Sequence, residues 1–214
     1  MKAIITIFLL ICFTSYAQNK SDITISFGEN INLGKIETDT NFFISSESGS
    51  FQLLGNEINK YKFRKPGIYL LKITESNFHK EDEEEDSCSK NHLPKEIMVT
   101  VSRIKMTFDG SRITFSNPIK KNAETNGLTM SIPVKIVTYD NKPADLNFTQ
   151  VNSAGIGTSI IAKLDENYKK LPEGIHILNY SLSGKVTENA YLMFDFIDAN
   201  GRIQSVSLPT QINN

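Results

Sequence analysis

The sequence predicts an all-β protein made of two β-sandwich domains in tandem, preceded by a cleaved export signal. Three observations carry this prediction. Apolar residues recur at every second position almost throughout, and no 12-residue stretch holds a clean helical stripe. Clusters of Gly, Asn, Asp, Ser and Pro cut the alternating runs into short pieces, which is the punctuation of a sandwich rather than of a helical or α/β chain. The first residues have the layout of a secretory signal. The chain has 214 residues, 39% of them hydrophobic, and at roughly 100–200 residues per domain this fits one or two folded units.

Residues 1–17 comprise Lys2, an apolar run from Ala3 to Phe13, and small residues at Ser15 and Ala17, so cleavage is expected between Ala17 and Gln18. An apolar run of about 11 residues falls short of the roughly 20 that cross a bilayer core. No later segment is long enough either, and no membrane span is expected in the mature chain. Ile11 before Cys12 departs from the small residue of a lipobox, which favours cleavage at Ala17 over lipid attachment at Cys12. Cleavage removes Cys12 and leaves Cys88 alone, a free thiol or an intermolecular link. A mature chain of this kind belongs in the periplasm, on the cell surface or in the medium, and depends on its apolar cores for stability.

The first domain is expected over residues 18–102. Ile23, Ile25 and Phe27 alternate with polar neighbours, followed by Ile31, Leu33 and the out-of-step Ile36. Runs at Asn41–Ser45, Ser50–Leu54 and Glu57–Phe63 come next, then Pro66–Thr74 and Glu96–Ser102, for seven short strands in all. The second domain, over 103–214, opens with Ile104, Met106 and Phe108 and a tight hairpin expected at Asp109-Gly110, beyond which Ile113 and Phe115 alternate. Met130, Ile132, Val134 and Ile136 form a further set, with Pro133 implying an edge strand because it lacks an N–H. Gly174–Ser183 and Ala190–Ile197 read as strands, and Asn200-Gly201 turns the chain into Arg202–Leu208. Leu192, Phe194 and Phe196 share one face and are the firmest core prediction. Between the two halves only Ser102-Arg103 interrupts the strand pattern, so a short, stiff connection is expected.

The segment Phe63-Arg64-Lys65-Pro66-Gly67-Ile68-Tyr69-Leu70-Leu71-Lys72-Ile73 resembles the late-strand signature of bacterial immunoglobulin-like sandwich domains, in which Gly-x-Tyr opens the penultimate strand. The resemblance implies a structural role for Gly67 and Tyr69, with the tyrosine ring at the corner between sheets and its hydroxyl returned to nearby backbone. Leu171-Pro172-Glu173-Gly174-Ile175-His176-Ile177-Leu178 is similar, with Gly174 in place and His176 at the tyrosine position. Two immunoglobulin-like domains in tandem are what the resemblance implies. Such a fold serves many functions.

The most distinctive segment is an insertion over residues 75–95, which contains Glu81, Asp82, Glu83, Glu84, Glu85 and Asp86 in succession. With three bases against seven acids it carries −4, whereas the whole chain, with 23 bases and 24 acids, carries only −1. The six acids are candidate partner-binding residues on a solvated end loop. His79, Cys88 and His92 are a metal-ligand alternative, although one Cys with two His at these gaps matches no standard zinc framework and the acidic run lacks the ladder and glycine of a calcium loop. No cofactor is expected. The near-neutral charge disfavours a nucleic-acid partner.

No nucleophile elbow, zinc-protease pair, Walker loop or dinucleotide fingerprint occurs, and the Asp195–Asp198 pair reads as surface carboxylates flanking a turn. The sequence therefore predicts an exported, non-enzymatic binding, adhesion or surface-assembly module with an unknown protein or glycan partner. One alternative is a periplasmic assembly chaperone, in which Ile97, Val99 and Val101 would lend side chains to a client. Another is a divalent-metal or carbohydrate-binding protein, the latter through Tyr139, Tyr168 or Tyr191 because the chain has no Trp.

Overall fold

Period-two alternation fixes which side of each strand meets the core. A computed structural model describes residues 20–74, 93–147, 150–188, 192–208 and 212–213. The strands are β1 (Lys20–Ser26), β2 (Asn41–Ser46), β3 (Gly49–Leu54), β4 (Gly67–Thr74) and β5 (Glu96–Ser102) in the first half. The second half contains β6 (Ile104–Phe108), β7 (Thr114–Phe115), β8 (Ile119–Lys120), β9 (Thr129–Thr138), β10 (Ala144–Asp145) and β11 (Gln150–Ala154). It continues through β12 (Ile161–Leu164), β13 (Lys170–Leu171), β14 (Gly174–Ser183), β15 (Leu192–Ile197), β16 (Ile203–Leu208) and β17 (Ile212–Asn213). One four-residue helix, α1 (Glu57–Lys60), and two 3-10 turns complete the described elements. The chain is all-β, with several sheets.

The first sheet has the order β1-β5-β4-β2-β3, with β1 parallel to β5 and the other pairs antiparallel. Its inner face buries Ile25, Phe42, Ile44, Tyr69, Leu71, Ile97, Val99 and Val101. Ile31, Ile36, Ile58 and Phe63, from the two long connections, cover that face. Two of the seven expected strands are absent among the described residues. Residues 31–36 are irregular, and Glu57–Phe63 begins as α1; a single bridge, Glu29 to Phe63, joins these stretches. Asn59 takes the place of a ladder. Its Oδ1 accepts from the Leu33 amide at 2.8 Å and its Nδ2 donates to the Gly34 carbonyl at 2.8 Å, satisfying backbone groups that a loop against a core would otherwise orphan.

The second sheet follows the order β16-β15-β11-β12-β14-β9-β6, with β7 also paired to β9. Both wings point into one core. Phe108 of β6 lies 4.9 Å from Phe196 of β15, and Tyr180 of β14 lies 5.8 Å from the same ring. The Gln204 side chain of β16 accepts from the Phe108 amide and donates to the Met106 carbonyl, so the two ends of the strand order meet and the sheet wraps its core in a manner compatible with a β-sandwich. Leu192, Phe194 and Phe196 are fully buried, as are Met130, Ile132, Val134 and Ile136. The smaller pairs are β10 with β13 and β17 with β8.

Two expectations in this half are corrected. Pro133 is not on an edge, because β9 pairs with β14 on one side and with β6 and β7 on the other. Its carbonyl accepts from the Asp109 amide, on the side where the chain leaves β6, and its missing N–H falls in the gap before β7 takes over. Nor does Asp109-Gly110 close a hairpin: Gly110–Arg112 forms a 3-10 turn, and β6 and β7 both pair with β9 rather than with each other. Asp109 holds this turn by accepting from the Ser111 hydroxyl and the Arg112 guanidinium at 2.6 Å each. The glycine is required by packing, since a Cβ at Gly110 would come within 2.5 Å of Val206 Cγ1.

Candidate functional site

Residues 55–66, between β3 and β4, build the most chemically distinctive surface among the described residues. Gly55 has a φ of 49° and donates its amide to the Thr40 carbonyl, which starts the turn into α1. Ile58 anchors this short helix in the core. The helix ends when the Tyr61 amide bonds back to Glu57, after which the chain extends. Phe63 then enters the core, Tyr61 packs partly buried beside it at the surface, and Lys62 and Arg64 stand in solvent. Backbone bonds from Phe63 to Glu29 and from Gly28 to Phe63 fix the segment to the first connection.

Four rings follow one another along this seam. Phe51 and Tyr61 have centroids 4.9 Å apart, Tyr61 and Phe63 5.0 Å, and Phe63 and Tyr69 5.1 Å, the last two pairs edge to face. Tyr69 donates its hydroxyl to the Lys65 carbonyl at 3.0 Å, which holds the turn at Pro66-Gly67 against the first strand turn of β4. Burial, reinforced by the neighbouring Tyr61 and Tyr139, raises the Tyr69 phenol above its ordinary value, so it stays protonated and donating. Outside the rings lies an open cleft of about 600 Å³ lined by the buried or half-buried Phe51, Tyr61 and Tyr69 and by the exposed Ser48. Its rim carries Lys60, Lys62, Arg64 and Lys65. None of these four cations pairs with a carboxylate of the described residues. Four bases in six residues with no acid among them make a local positive field on a chain whose net charge is −1.

A second open surface lies on the outer face of β6, β9 and β14, a cleft of about 680 Å³ bounded by Lys105, Lys135, Val137 and Ile175. Ile175 and Ile177 are 69% and 58% exposed there. They stand across from Lys135 and Pro133 in the register of β14 with β9.

A third cluster ties the turn between β15 and β16 to the first half. Arg202 donates to Glu29 at 2.6 Å, to the Ser26 hydroxyl at 3.0 Å and to Asp198 at 3.1 Å. Asn200 reaches Ser26 and the Ile104 carbonyl, and Lys105 lies 3.4 Å from Glu29. Burial opposes the charge on Glu29, but the bonds from Arg202 and the Ser26 amide, with the charges of Arg202 and Lys105, outweigh it and hold the carboxyl below its ordinary value. Burial likewise opposes the charge on Arg202, and Glu29 and Asp198 overcome it.

The residues singled out from the sequence are scattered relative to these surfaces. Glu81, Asp82, Glu83, Glu84, Glu85 and Asp86 lie outside the described residues, as do His79, Cys88, His92, Tyr191, Ala17 and Gln18. Among the described residues no three His, Cys, Asp or Glu side chains gather as a metal site, and no helix is long and apolar enough to cross a membrane. Gly67 and Gly174 share an unusual backbone, with φ of 141° and 140°. His176 Nε2 bonds the Pro172 carbonyl at 2.9 Å, the same four-residue return that Tyr69 makes. The two segments nevertheless differ in place: β4 is the penultimate strand of its sheet in chain order, whereas β14 is followed by both β15 and β16. Asp198 is not a surface carboxylate. It is fully buried and accepts from the Asn200 and Arg202 amides, while Asp195 accepts from Ser205. Ile97, Val99 and Val101 face the first core, and β5 is flanked by β1 and β4. Tyr139 packs edge-on against Phe27, and the Tyr168 hydroxyl accepts from Asn179.

The cation-rimmed cleft is hidden in the sequence because Glu57–Phe63 has the composition of a strand. The signal was Lys60-Tyr61-Lys62-Phe63-Arg64-Lys65, cations interleaved with rings. No protein-family model matches the chain, and no curated protein matches it.

Proposed function

We propose that the chain is an exported, non-enzymatic binding module of two immunoglobulin-like sandwiches, which engages an anionic partner through the cleft between β3 and β4. The observation that carries the reading is four cations, none paired with a carboxylate among the described residues, around a fixed aromatic wall, an arrangement suited to holding a ligand.

The strand orders support the sandwich assignment. In chain order, β6, β9, β11, β12, β14, β15 and β16 take the letters A to G. The sheet then runs A-B-E-D and C-F-G, the two halves of an immunoglobulin-like sandwich, joined here where β11 meets β12. In the first half β5, β4, β2 and β3 run in the order G-F-C-C′, and the bond from Tyr69 to Lys65 has the form of a tyrosine corner at the start of strand F. The layout of residues 1–17 supports export.

The test is made on the full chain in its host. Expected are an N-terminus at Gln18, recovery outside the cytoplasm, and saturable adsorption of the purified mature protein to intact host cells that Lys62→Glu with Arg64→Glu abolishes. A retained Met1, or adsorption indifferent to that double substitution, contradicts the reading.

A further inference from the structure

We infer that the cleft takes an acidic saccharide, a chain of sugar rings bearing carboxylate or sulfate groups; this rests on the binding-module reading above. Two independent features of the cleft call for the two halves of such a ligand. The rim supplies charge, for Lys60, Lys62, Arg64 and Lys65 have no described carboxylate to neutralise them, and the Arg64 fork matches a carboxylate or sulfate in a bidentate way that a lysine does not. The floor supplies an apolar platform. Tyr61 is held between Phe51 at 4.9 Å and Phe63 at 5.0 Å, so its ring is fixed before any ligand arrives and costs little ordering on binding. An aromatic platform of this kind suits the C–H face of a pyranose.

Size and charge distribution narrow the choice. A cleft of about 600 Å³ lies within the range of about 300–1,000 Å³ typical of small-ligand sites. It fits a few sugar rings rather than an extended polymer surface. A nucleic acid requires cations strung along a backbone path. Here they are confined to residues 60–65, and the whole chain carries −1. An acidic peptide would use the charges, but nothing in it requires the ring platform.

The experiment titrates the mature protein with an oligogalacturonate hexamer and a heparin hexasaccharide, with dextran, polyglutamate and oligothymidylate as comparators. At least one acidic saccharide is expected to bind, and dextran is not. Lys62→Gln with Arg64→Gln is expected to weaken that binding tenfold or more. Tyr61→Leu is expected to weaken it severalfold, while Tyr61→Phe, which keeps the ring, retains it. If Tyr61→Leu lowers the melting temperature enough to unfold the protein, Phe51→Leu gives the same reading from the other side of the platform. Polyglutamate or oligothymidylate binding as tightly as the saccharides, or saccharide affinity unchanged by loss of the ring, overturns the inference in favour of charge alone. If neither saccharide binds while charge-dependent adsorption to host cells persists, the saccharide is overturned and the binding module stands. If adsorption fails as well, both fall.

Discussion

Tyr69 and His176 solve the same local problem with different chemistry. Each follows a positive-φ glycine by two residues and returns a ring donor to the carbonyl four residues earlier, which closes the turn that opens its strand. Because a carbonyl only accepts, His176 Nε2 must carry a proton. Tyr69→Phe keeps the ring packing on Phe63 and removes only the bond to Lys65, so urea unfolding is expected to report a loss of about 0.5–1.5 kcal/mol. The Gly-x-Tyr segment was legible because a small residue and a ring at fixed spacing leave a sequence mark. Gly110 reads in the sequence as the glycine of a tight Asp-Gly hairpin, which it does not form. Its reason, the approach of Val206, is set by a strand nearly a hundred residues away and leaves no local trace. Gly110→Ala is expected to cost about 1–3 kcal/mol by overpacking, and Val206→Ala in the same chain to recover part of it; strictly additive losses in that double-mutant cycle would contradict the contact.

Among elements, the long alternating strands are the most legible in the sequence. Gly174–Ser183 was placed to the residue, and the buried faces of β9 and β15 follow the pattern read from sequence, because a strand buried on one face must alternate. The short connections are the least legible. Glu57–Phe63 has strand-like composition, yet Ile58 is buried by one helical turn and Asn59 supplies the backbone bonds that a strand would have made. Pro133 misled in the opposite direction, since a missing N–H marks a free ladder position, which is an edge only when no second strand continues beyond it. In the turn from β15 to β16, Asp198 is the organising residue. It is 0% exposed, binds two amides of the loop and holds Arg202. Asp198→Asn disrupts the buried ion pair, and chemical denaturation is expected to show a loss of about 3–5 kcal/mol. A loss near zero would show that the pair is dispensable.

At the scale of the whole molecule, the Glu29–Arg202 pair joins the connection after β1 to the far end of the chain, and its pH dependence has a definite sign. The folded carboxyl lies below its ordinary value of 4.5, so folding favours the ionised form. The contribution is complete above that value and is lost as the pH falls through the lower, folded one. Thermal or urea stability is therefore expected to decline on acidification below about 4.5, with a shallower decline for Glu29→Gln. Asp109 and Asp140 are also held below their ordinary values, so the difference between the two proteins isolates Glu29 from them. Equal slopes would remove Glu29 from the account. Function was less legible than fold. The sequence drew attention to acids at 81–86, whereas the described surface with binding chemistry is the positive stretch 60–65, whose rings and cations face a common cleft only once β3, α1 and β4 are in place. The most direct measurement is amide chemical-shift mapping of the isotopically labelled mature protein titrated with oligogalacturonate or heparin hexasaccharide. Saturable shifts are expected at residues 48–51 and 60–69; shifts confined to residues 104–208 would contradict the assignment of the cleft as the binding site, and none in either titration would overturn the saccharide.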